Sequence, residues 1–302
     1  MAQVKNISIV LKPKINTEFE SILNNLIAWL IRRKKNVSFL EKEEERIGKI
    51  LKGELKNLNF ISENELHSDS DLIITMGGDG TLIGVARNVS KNSPPIFGVN
   101  MGHLGFITEY TKHEFFDQLE QTLKGDYEIT TLSLYQVEVF EKRKDEPKFK
   151  GYFLNDVVLN NNQISRMLTL SVESEGEHIY NLAGDGLIIS SPIGSTAYSL
   201  AAGGPIIQPS VNAVVLTPIC AHSLTHRPLV IPDHSSIEIK AARADESIKL
   251  TLDGQQAIII GSNETVKVTK KKGRTVQLIK NPERTYFRTL KEKFTHGARE
   301  LK

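Results

Sequence analysis

The stretch DLIITMGGDGTLIGVARNV, residues 71–89, contains the features that decide the fold of the first half of the chain. Asp71 to Met76 is a short, largely apolar run, which predicts a buried strand. The glycine cluster Gly77-Gly78-Asp79-Gly80-Thr81 follows at once, and the pattern from Leu82 to Val89 predicts a helix after it. Ligands bind outside the carboxyl ends of the strands in open α/β sheets, so the glycine cluster is a candidate ligand site.

The rest of the first 125 residues alternates strand-like and helix-like segments. Further strands are predicted at Val4–Leu11, Val37–Leu40 and Pro95–Val99, and helices at Phe19–Ile31, Glu41–Lys56 and His113–Leu123. Thr17 is predicted to cap the first helix, and the basic run 32–35 lies where that helix should end. Strands that alternate with helices imply right-handed βαβ units and a mostly parallel sheet.

After about residue 130 the hydrophobic period changes to two. Apolar and polar residues alternate in runs such as 135–139, 168–172 and 248–252, and turn signals such as Asp253-Gly254 separate them. Alternation with short turns predicts antiparallel sheet. The basic run Lys270–Arg274 is interpreted as a hairpin tip rather than a phosphate clamp. The last twenty residues are predicted to form a helix that packs on the first domain.

Length and the two hydrophobic periods together predict an α/β plus all-β fold. A chain of 302 residues is long enough for about two domains. We expect an N-terminal open parallel α/β nucleotide-binding domain at residues 1–130, joined by a C-terminal helix at 283–302. An antiparallel β-rich domain is expected at residues 131–282.

Composition excludes several classes of protein. Lys and Arg number 38 against 36 Asp and Glu, which leaves a net charge of +2 and no electrostatic footprint for nucleic acid or an anionic membrane. Cys220 is the single cysteine, so an internal disulfide is excluded and a reducing compartment is favoured. The N-terminal residues lack a signal-peptide pattern, and no apolar window is long enough for a spanning helix. We therefore predict a cytoplasmic protein that binds neither nucleic acid nor membrane.

The glycine cluster fits neither of two common phosphate-binding motifs. A Walker motif would end in Gly-Lys-Ser/Thr, and the spacing of Gly78, Gly80 and Gly84 is wrong for a dinucleotide fingerprint. Glycines after a strand nevertheless let backbone N–H groups approach a phosphate, which makes Gly77, Gly78, Gly80 and Thr81 a candidate phosphate-donor loop. Backbone amides and a divalent cation, more than a lysine, are expected to hold the phosphates.

Asp79 is unusual inside such a loop because a carboxylate repels a triphosphate. A divalent cation could offset this repulsion, or the carboxylate could act as the proton acceptor for an attacking hydroxyl. A plain Asp-Gly turn between strand and helix is the structural alternative.

Several blocks of the sequence resemble the NAD kinase family. Gly77-Gly78-Asp79-Gly80-Thr81 is similar to the first signature of NAD kinases, shared with the wider superfamily of diacylglycerol kinases and phosphofructokinases. Residues 184–205, GDGLIISSPIGSTAYSLAAGGP, resemble the second signature almost letter for letter, and this signature is specific to NAD kinases. Asn155–Leu159, Leu216–Leu224 and Asp253-Gly254-Gln255 also resemble family blocks, in order over most of the chain.

The resemblance implies a reaction. It implies ATP-dependent phosphorylation of the 2′-hydroxyl of the adenosine ribose of NAD, giving NADP, with Mg²⁺ or a similar cation. It also implies a site in the crevice between the two domains and a homodimer or homotetramer.

The resemblance also implies roles for particular residues. Asp79 matches the proton acceptor of the family, with Gly80 beside the ribose. The other positions that match NAD-binding residues are Asn155, Asp156, Arg166, Ala183, Asp185, Thr196, Ala197, Tyr198, Ser199, Leu200, Ala201 and Gln255. No metal ligand is assigned.

Some of these positions depart from the family pattern or have ordinary structural interpretations. Asp156 is one methylene shorter than the commoner glutamate, and Ala183 stands where many relatives have arginine. Asp185-Gly186 and Asp253-Gly254 are also good turn sequences, and Arg166 could be a solvated strand residue. Residues 195–202 are expected to form a short helix. His222 and His226 are interpreted as loop histidines rather than metal ligands, because nearby prolines argue against a helix.

Two alternative functions stay open at this stage. One is a lipid or sugar kinase of the same superfamily, because the first signature is shared. The other is a non-catalytic nicotinamide-nucleotide sensor that kept the pocket and lost turnover.

Overall fold

A computed structural model gives the three-dimensional structure of the chain. It describes residues 4–14, 16–52, 56–102, 105–162, 167–223, 225–243 and 247–299, with side chains as far as residue 294. The chain divides into two compact units: unit 1 contains residues 1–132 and 275–302, and unit 2 contains residues 133–274.

Unit 1 begins with alternating strands and helices. The strands are β1 (Asn6–Leu11), β2 (Asn36–Leu40), β3 (Leu58–Ile61), β4 (Leu72–Gly77), β5 (Ile96–Asn100) and β6 (Tyr110–Thr111). The helices are α1 (Thr17–Arg32), α2 (Glu44–Ile50), α3 (Glu63–Ser68), α4 (Asp79–Ala86) and α5 (Phe115–Lys124).

The strands of unit 1 form a parallel sheet in the order β3-β2-β1-β4-β5, with β6 beside β5. Gly77 at the end of β4 lies opposite Asn100 at the end of β5. Strands β4 and β5 are buried along their whole length, as both faces of a parallel sheet are covered by helices. The predicted parallel α/β architecture is confirmed, and it brings the loops after β4 and β5 to the same edge.

Four local predictions for unit 1 need correction. The side chain of Asn16, not Thr17, caps α1, because the Asn16 Oδ1 atom accepts the Phe19 N–H. Helix α4 begins at Asp79, so this residue lies in the first helical turn and not in a loop. The helix predicted at 41–56 is shorter, with a 3₁₀ turn at Glu41–Glu43 before α2. Strand β3 and helix α3, which begins with a Ser62/Glu65 capping box, were missed.

The chain then continues with a long strand, β7 (Glu128–Glu141). Unit 2 adds the strands β8 (Phe149–Phe153), β9 (Asp156–Asn161), β10 (Leu168–Ser174), β11 (Glu177–Gly184), β12 (Gly186–Ser190), β13 (Ala213–Ile219), β14 (Leu229–Pro232), β15 (Ile237–Ala241), β16 (Ser247–Leu252) and β17 (Gln256–Gly261). A short helix, α6 (Tyr198–Ala201), follows a 3₁₀ turn at Gly194–Thr196. A second long strand is β18 (Glu264–Lys280), and the last element is α7 (Tyr286–Arg299), which lies in unit 1.

The strands from β9 to β17 pair with one another only in antiparallel fashion in the described residues, as the period of two predicts. One six-stranded sheet has the order β14-β13-β12-β9-β16-β17. The turn at Asp253-Gly254 joins β16 to β17, and both residues have positive φ angles, +49° and +64°, which the Asp-Gly pair favours in a turn. Three residues, Asp253 to Gln255, separate the two strands. The core of unit 2 contains apolar side chains such as Val157, Leu187 and Leu250 from this sheet.

Two predictions for unit 2 are wrong in detail. Residues 270–274 do not form a hairpin tip, because β18 runs through them as one strand. The Lys270 Nζ atom instead lies 2.5 Å from the Asp233 carboxylate. Residues 195–202 do not form one helix, because Ala197 (φ −101°, ψ −127°) separates the 3₁₀ turn from α6.

None of the helices within the described ranges is long and apolar enough to cross a membrane.

Candidate active site

The glycine cluster forms the junction between β4 and α4. Gly78 occupies the N-cap position of α4 in an extended conformation, and Asp79 is the first helical residue. A Cβ atom at Gly77 would overlap the side chain of Thr81, so only glycine fits there. An acidic residue in the first turn is also favourable because the helix dipole is positive at this end.

The Asp79 carboxylate accepts four hydrogen bonds from one segment of unit 1. The Phe106 N–H donates to Oδ2 at 2.7 Å, and the Ile107 and Thr108 N–H groups donate to Oδ1 at 3.3 and 3.0 Å. The Thr108 hydroxyl adds a fourth bond to Oδ1 at 2.7 Å. Three of these bonds therefore go to Oδ1 and one goes to Oδ2, which leaves acceptor capacity on Oδ2.

Gly105 permits this arrangement. A Cβ atom at this position would overlap both the Asp79 carboxylate and the Thr108 hydroxyl. The sequence analysis missed residues 105–108 as part of the site. Their position after β5, next to β4 in the parallel sheet, is the signal that could have identified them.

A pocket of about 570 Å³ lies within unit 2. Four of the predicted residues line it together: Asn155, Asp156, Ala197 and Tyr198. Further lining residues that the analysis had not assigned to NAD are Val158, Asn160, Asn161, Lys249, Thr251, Asp253 and Gly254. Tyr198 is 44% exposed, so its ring is accessible to a ligand in this pocket.

Asp253 holds the loop that carries Asn155 and Asp156. Its carboxylate accepts the N–H groups of Leu154 (3.0 Å), Asn155 (2.8 Å) and Asp156 (3.1 Å). The Asp253 N–H in turn donates to the Asp156 carbonyl at 2.9 Å. The carbonyls of this loop are bonded from the other side, since the Ser191 N–H donates to the Asn155 oxygen and the Ser191 hydroxyl donates to the Leu154 oxygen.

The side chains of Asn155 and Asp156 have unusual environments. Asp156 is 5% exposed, and its pKa is raised to about 7 by burial and, second, by the charge of Asp253. A carboxyl group that is partly protonated near neutral pH can both donate and accept hydrogen bonds. The Asn155 Oδ1 atom is buried and has no hydrogen-bond partner among the described residues, so it is a candidate for pairing with a ligand.

The remaining residues of the second signature differ in their exposure. The Ser199 hydroxyl is buried and pairs with the Thr217 hydroxyl at 2.8 Å, so it supports the fold at this point. The Thr196 hydroxyl donates to the Ile193 carbonyl within its own turn. Leu200 is half-buried and Ala201 is exposed, and neither lines the pocket.

The other predicted positions lie outside the pocket lining. Ala183 is on β11, where its carbonyl accepts the His222 N–H. Asp185 is exposed between β11 and β12, and its hydrogen bond and charge raise the pKa of the Cys220 thiol. Gln255 is exposed after the β16–β17 turn. Arg166 lies outside the described residues.

The described side chains around the candidate site do not form a set of ligands for a resident divalent cation. Within the ranges that the structure describes, no three His, Cys, Asp or Glu side chains come together in an arrangement that could hold a metal ion. Asp79 accepts N–H and O–H donors on both carboxylate oxygens. These residues therefore do not fit a dedicated protein cage for Mg²⁺, which is often bound through one or two carboxylates plus substrate phosphates.

The fold is that of a parallel α/β protein with a second, β-rich unit, and family comparisons identify its class. Residues 7–127 match the model of the ATP-NAD kinase N-terminal domain, and residues 154–280 match that of the ATP-NAD kinase C-terminal domain. The NAD kinase of Solibacter usitatus is 38% identical over 299 residues, which cover 99% of this chain and all of that relative.

Solved structures agree with these matches. The structure of yeast NADH kinase complexed with NADH superposes with a TM-score of 0.85 at 25% identity, covering 96% of this chain and 87% of that one. An NAD kinase from Archaeoglobus fulgidus in complex with ATP has the same fold, with a TM-score of 0.71 at 22% identity over 95% of this chain and 98% of that one. The chain therefore belongs to the NAD kinase family, and it is a phosphotransferase.

Proposed function

We propose that the chain transfers the terminal phosphoryl group of ATP to the 2′-hydroxyl of the adenosine ribose of NAD. The 2′-oxygen forms a bond to the γ-phosphorus, and the bond from that phosphorus to the β,γ-bridging oxygen breaks. ADP and NADP are the products, and the hydroxyl proton passes to a carboxylate. Such transfer depends mainly on positioning and charge stabilisation, with a carboxylate that orients the nucleophile.

Asp79 is proposed as that carboxylate. Its Oδ1 atom already accepts three hydrogen bonds, whereas Oδ2 accepts one, so Oδ2 is the atom proposed to accept the ribose hydroxyl. The observation that carries the proposal is this fixed carboxylate in the first turn of α4, in a chain that matches NAD kinases over its whole length. Gly77, Gly78, Gly80 and Thr81 are proposed to hold the phosphates of the donor.

The pocket of unit 2 is proposed to bind NAD. The Asn155 Oδ1 atom, which lacks a hydrogen-bond partner in the described part of the chain, and the Asp156 carboxyl group offer hydrogen bonds to hydroxyl and amide groups. The exposed ring of Tyr198 offers a stacking surface. Gly80, Arg166, Ala183, Asp185, Thr196, Ala197, Ser199, Leu200, Ala201 and Gln255 stay proposals that rest on the family resemblance. On this reading the residues 131–282 form the NAD-binding domain, with a C-terminal helix that returns to the α/β domain.

A divalent cation is proposed only as the ion that accompanies the triphosphate, where it would neutralise phosphate charge. The balanced charge and the single cysteine support a cytoplasmic enzyme. A homodimer or homotetramer is proposed on the family resemblance alone.

One assay tests the proposed function. Purified protein is incubated with Mg-ATP and NAD, and NADP is detected through an NADP-specific dehydrogenase. We expect NADP that depends on both substrates. Phosphorylation of a lipid or sugar with no NADP would favour the superfamily alternative, and NAD binding without turnover would favour the sensor.

A further inference from the structure

A line of buried side chains lies behind the Asp79 carboxylate. Thr108 is fully buried, and its hydroxyl lies 2.7 Å from the Asp79 Oδ1 atom. Asn100, at the end of β5, is 2% exposed, and its Nδ2 atom donates to the Thr108 hydroxyl oxygen at 2.9 Å. Asn100, Thr108 and Asp79 therefore form a continuous chain of hydrogen bonds inside unit 1.

The direction of these hydrogen bonds is fixed. The Asn100 Oδ1 atom accepts the Gly102 N–H at 2.8 Å, so the amide group must point its Nδ2 atom at Thr108. A hydroxyl has a single proton. Because the Thr108 oxygen accepts from Asn100, its proton is available for the Asp79 carboxylate.

Both hydrogen bonds from Thr108 go to one oxygen of the Asp79 carboxylate. Thr108 directs two donors, its N–H and its hydroxyl, at Oδ1 and none at Oδ2. Rotation of the carboxylate group would break these bonds. The reactive lone pairs are thereby confined to Oδ2.

We propose that Thr108 and Asn100 are positioning residues for phosphoryl transfer: they fix the Asp79 carboxylate so that only Oδ2 accepts the substrate hydroxyl. This inference rests on the proposed function, because it needs Asp79 to contact the ribose. A purely structural role would affect folding alone, and the two roles can be separated by experiment.

The chain contains a matched control for the Thr108 hydroxyl. Thr75, on β4 of the same unit, is also fully buried, but its hydroxyl has no hydrogen-bond partner among the described residues. Replacement of either threonine with valine keeps the shape and removes a hydroxyl. Only Thr108→Val removes a donor to Asp79.

The experiment compares Thr108→Val, Thr108→Ser and Thr75→Val in the NADP assay. We expect Thr108→Val to lower kcat by about 10- to 100-fold, as small misplacements of a reacting group do, with the KM for NAD and ATP changed less than threefold. Thr108→Ser restores most of kcat, because serine keeps the hydroxyl. Thr75→Val behaves as wild type.

A double-mutant cycle with Asp79→Asn tests whether Thr108 acts through Asp79. In the Asp79→Asn background, Thr108→Val should change kcat less than twofold. Equal effects of Thr108→Val in both backgrounds, or a wild-type kcat for Thr108→Val, would overturn the positioning role while leaving the proposed function intact. A wild-type chain that makes no NADP would overturn both.

Discussion

Two aspartates, one in each unit, accept hydrogen bonds from three consecutive backbone N–H groups. Asp79 in unit 1 accepts the N–H groups of residues 106–108, and Asp253 in unit 2 accepts those of residues 154–156. In both, the first N–H group donates to Oδ2, and the second and third donate to Oδ1; the Leu154 N–H also lies 3.2 Å from the Asp253 Oδ1 atom. Three consecutive N–H groups that point at one carboxylate form an anion-binding concavity.

The two arrangements differ in which groups they leave available to a ligand. Asp79 receives an additional hydroxyl from Thr108, and its Oδ2 atom keeps acceptor capacity, so the carboxylate itself is presented. Asp253 instead fixes the loop that carries Asn155 and Asp156, and these two residues line the pocket. The Asp253 carboxylate therefore supports the loop. A carboxylate in such a concavity is thus the proposed reacting group at Asp79, whereas at Asp253 it holds the loop that carries the proposed binding groups.

The largest expected effect concerns Asp79, the proposed reacting group. Asp79→Asn should lower kcat by about 10²–10⁴-fold, the contribution of a positioned proton acceptor, with NAD binding nearly unchanged. Steady-state kinetics and direct NAD titration measure the two quantities. Asp117→Asn is the control, because Asp117 is also an aspartate in the first turn of a helix of unit 1, and it should keep wild-type kcat. Loss of NAD binding in Asp79→Asn would instead make Asp79 structural.

The second prediction concerns the carboxyl group that Asp253 faces. Burial raises the pKa of Asp156 to about 7, above its value in an unfolded chain near 4. Between these pH values the folded chain binds more protons than the unfolded chain, so the free energy of unfolding falls as pH rises, by at most about 1.4 kcal/mol per pH unit. Above pH 7 this contribution is constant.

Urea unfolding at pH 5, 6, 7 and 8 measures this dependence. Asp156→Asn should remove the decrease, whereas Asp145→Asn, an exposed aspartate of the same unit, should follow the wild-type curve. Parallel curves for wild type and Asp156→Asn would contradict the raised pKa.

The third prediction tests the close approach beside Asp79. Gly105→Ala places a Cβ atom where the Asp79 carboxylate lies, and we expect kcat to fall by about 10- to 100-fold as the carboxylate moves. Gly261→Ala adds the same group into open space and should leave kcat unchanged. An unchanged kcat in Gly105→Ala would show that the carboxylate position tolerates displacement.

The smallest expected effect concerns Asp253, the aspartate that holds the 154–156 loop. Asp253→Asn removes the charge that holds the 154–156 loop, and we expect the KM for NAD to rise about tenfold, the equivalent of one charge-assisted hydrogen bond. The kcat value should change less than threefold. The same change should lower the pKa of Asp156, because the charge of Asp253 contributes to its rise. A kcat loss like that of Asp79→Asn, with unchanged KM, would remove the distinction between the two aspartates.

The sequence predicted the α/β and antiparallel β architectures because hydrophobic periods of 3.6 and 2 are local properties. The sequence-based prediction was wrong where the same local pattern is compatible with two structures. The run Lys270–Arg274 contains a good turn sequence, and Gly273 has a positive φ of +73°, yet β18 continues through it as one strand from Glu264 to Lys280. Asp253-Gly254 was correctly predicted as a turn, but the Asp253 side chain reaches residues about 98 positions away, which no local pattern indicates.

The glycine cluster made Asp79 a candidate site residue, and the resemblance to the NAD kinase family made Asn155 one, so both identifications needed only the order of residues in the chain. The tertiary structure decided which groups surround them. Thr108 is 29 residues from Asp79, and it reaches the carboxylate because β4 and β5 are neighbours in a parallel sheet. Hydrogen bonds between distant residues depend on strand order and register, and the chain fixes these only when it folds.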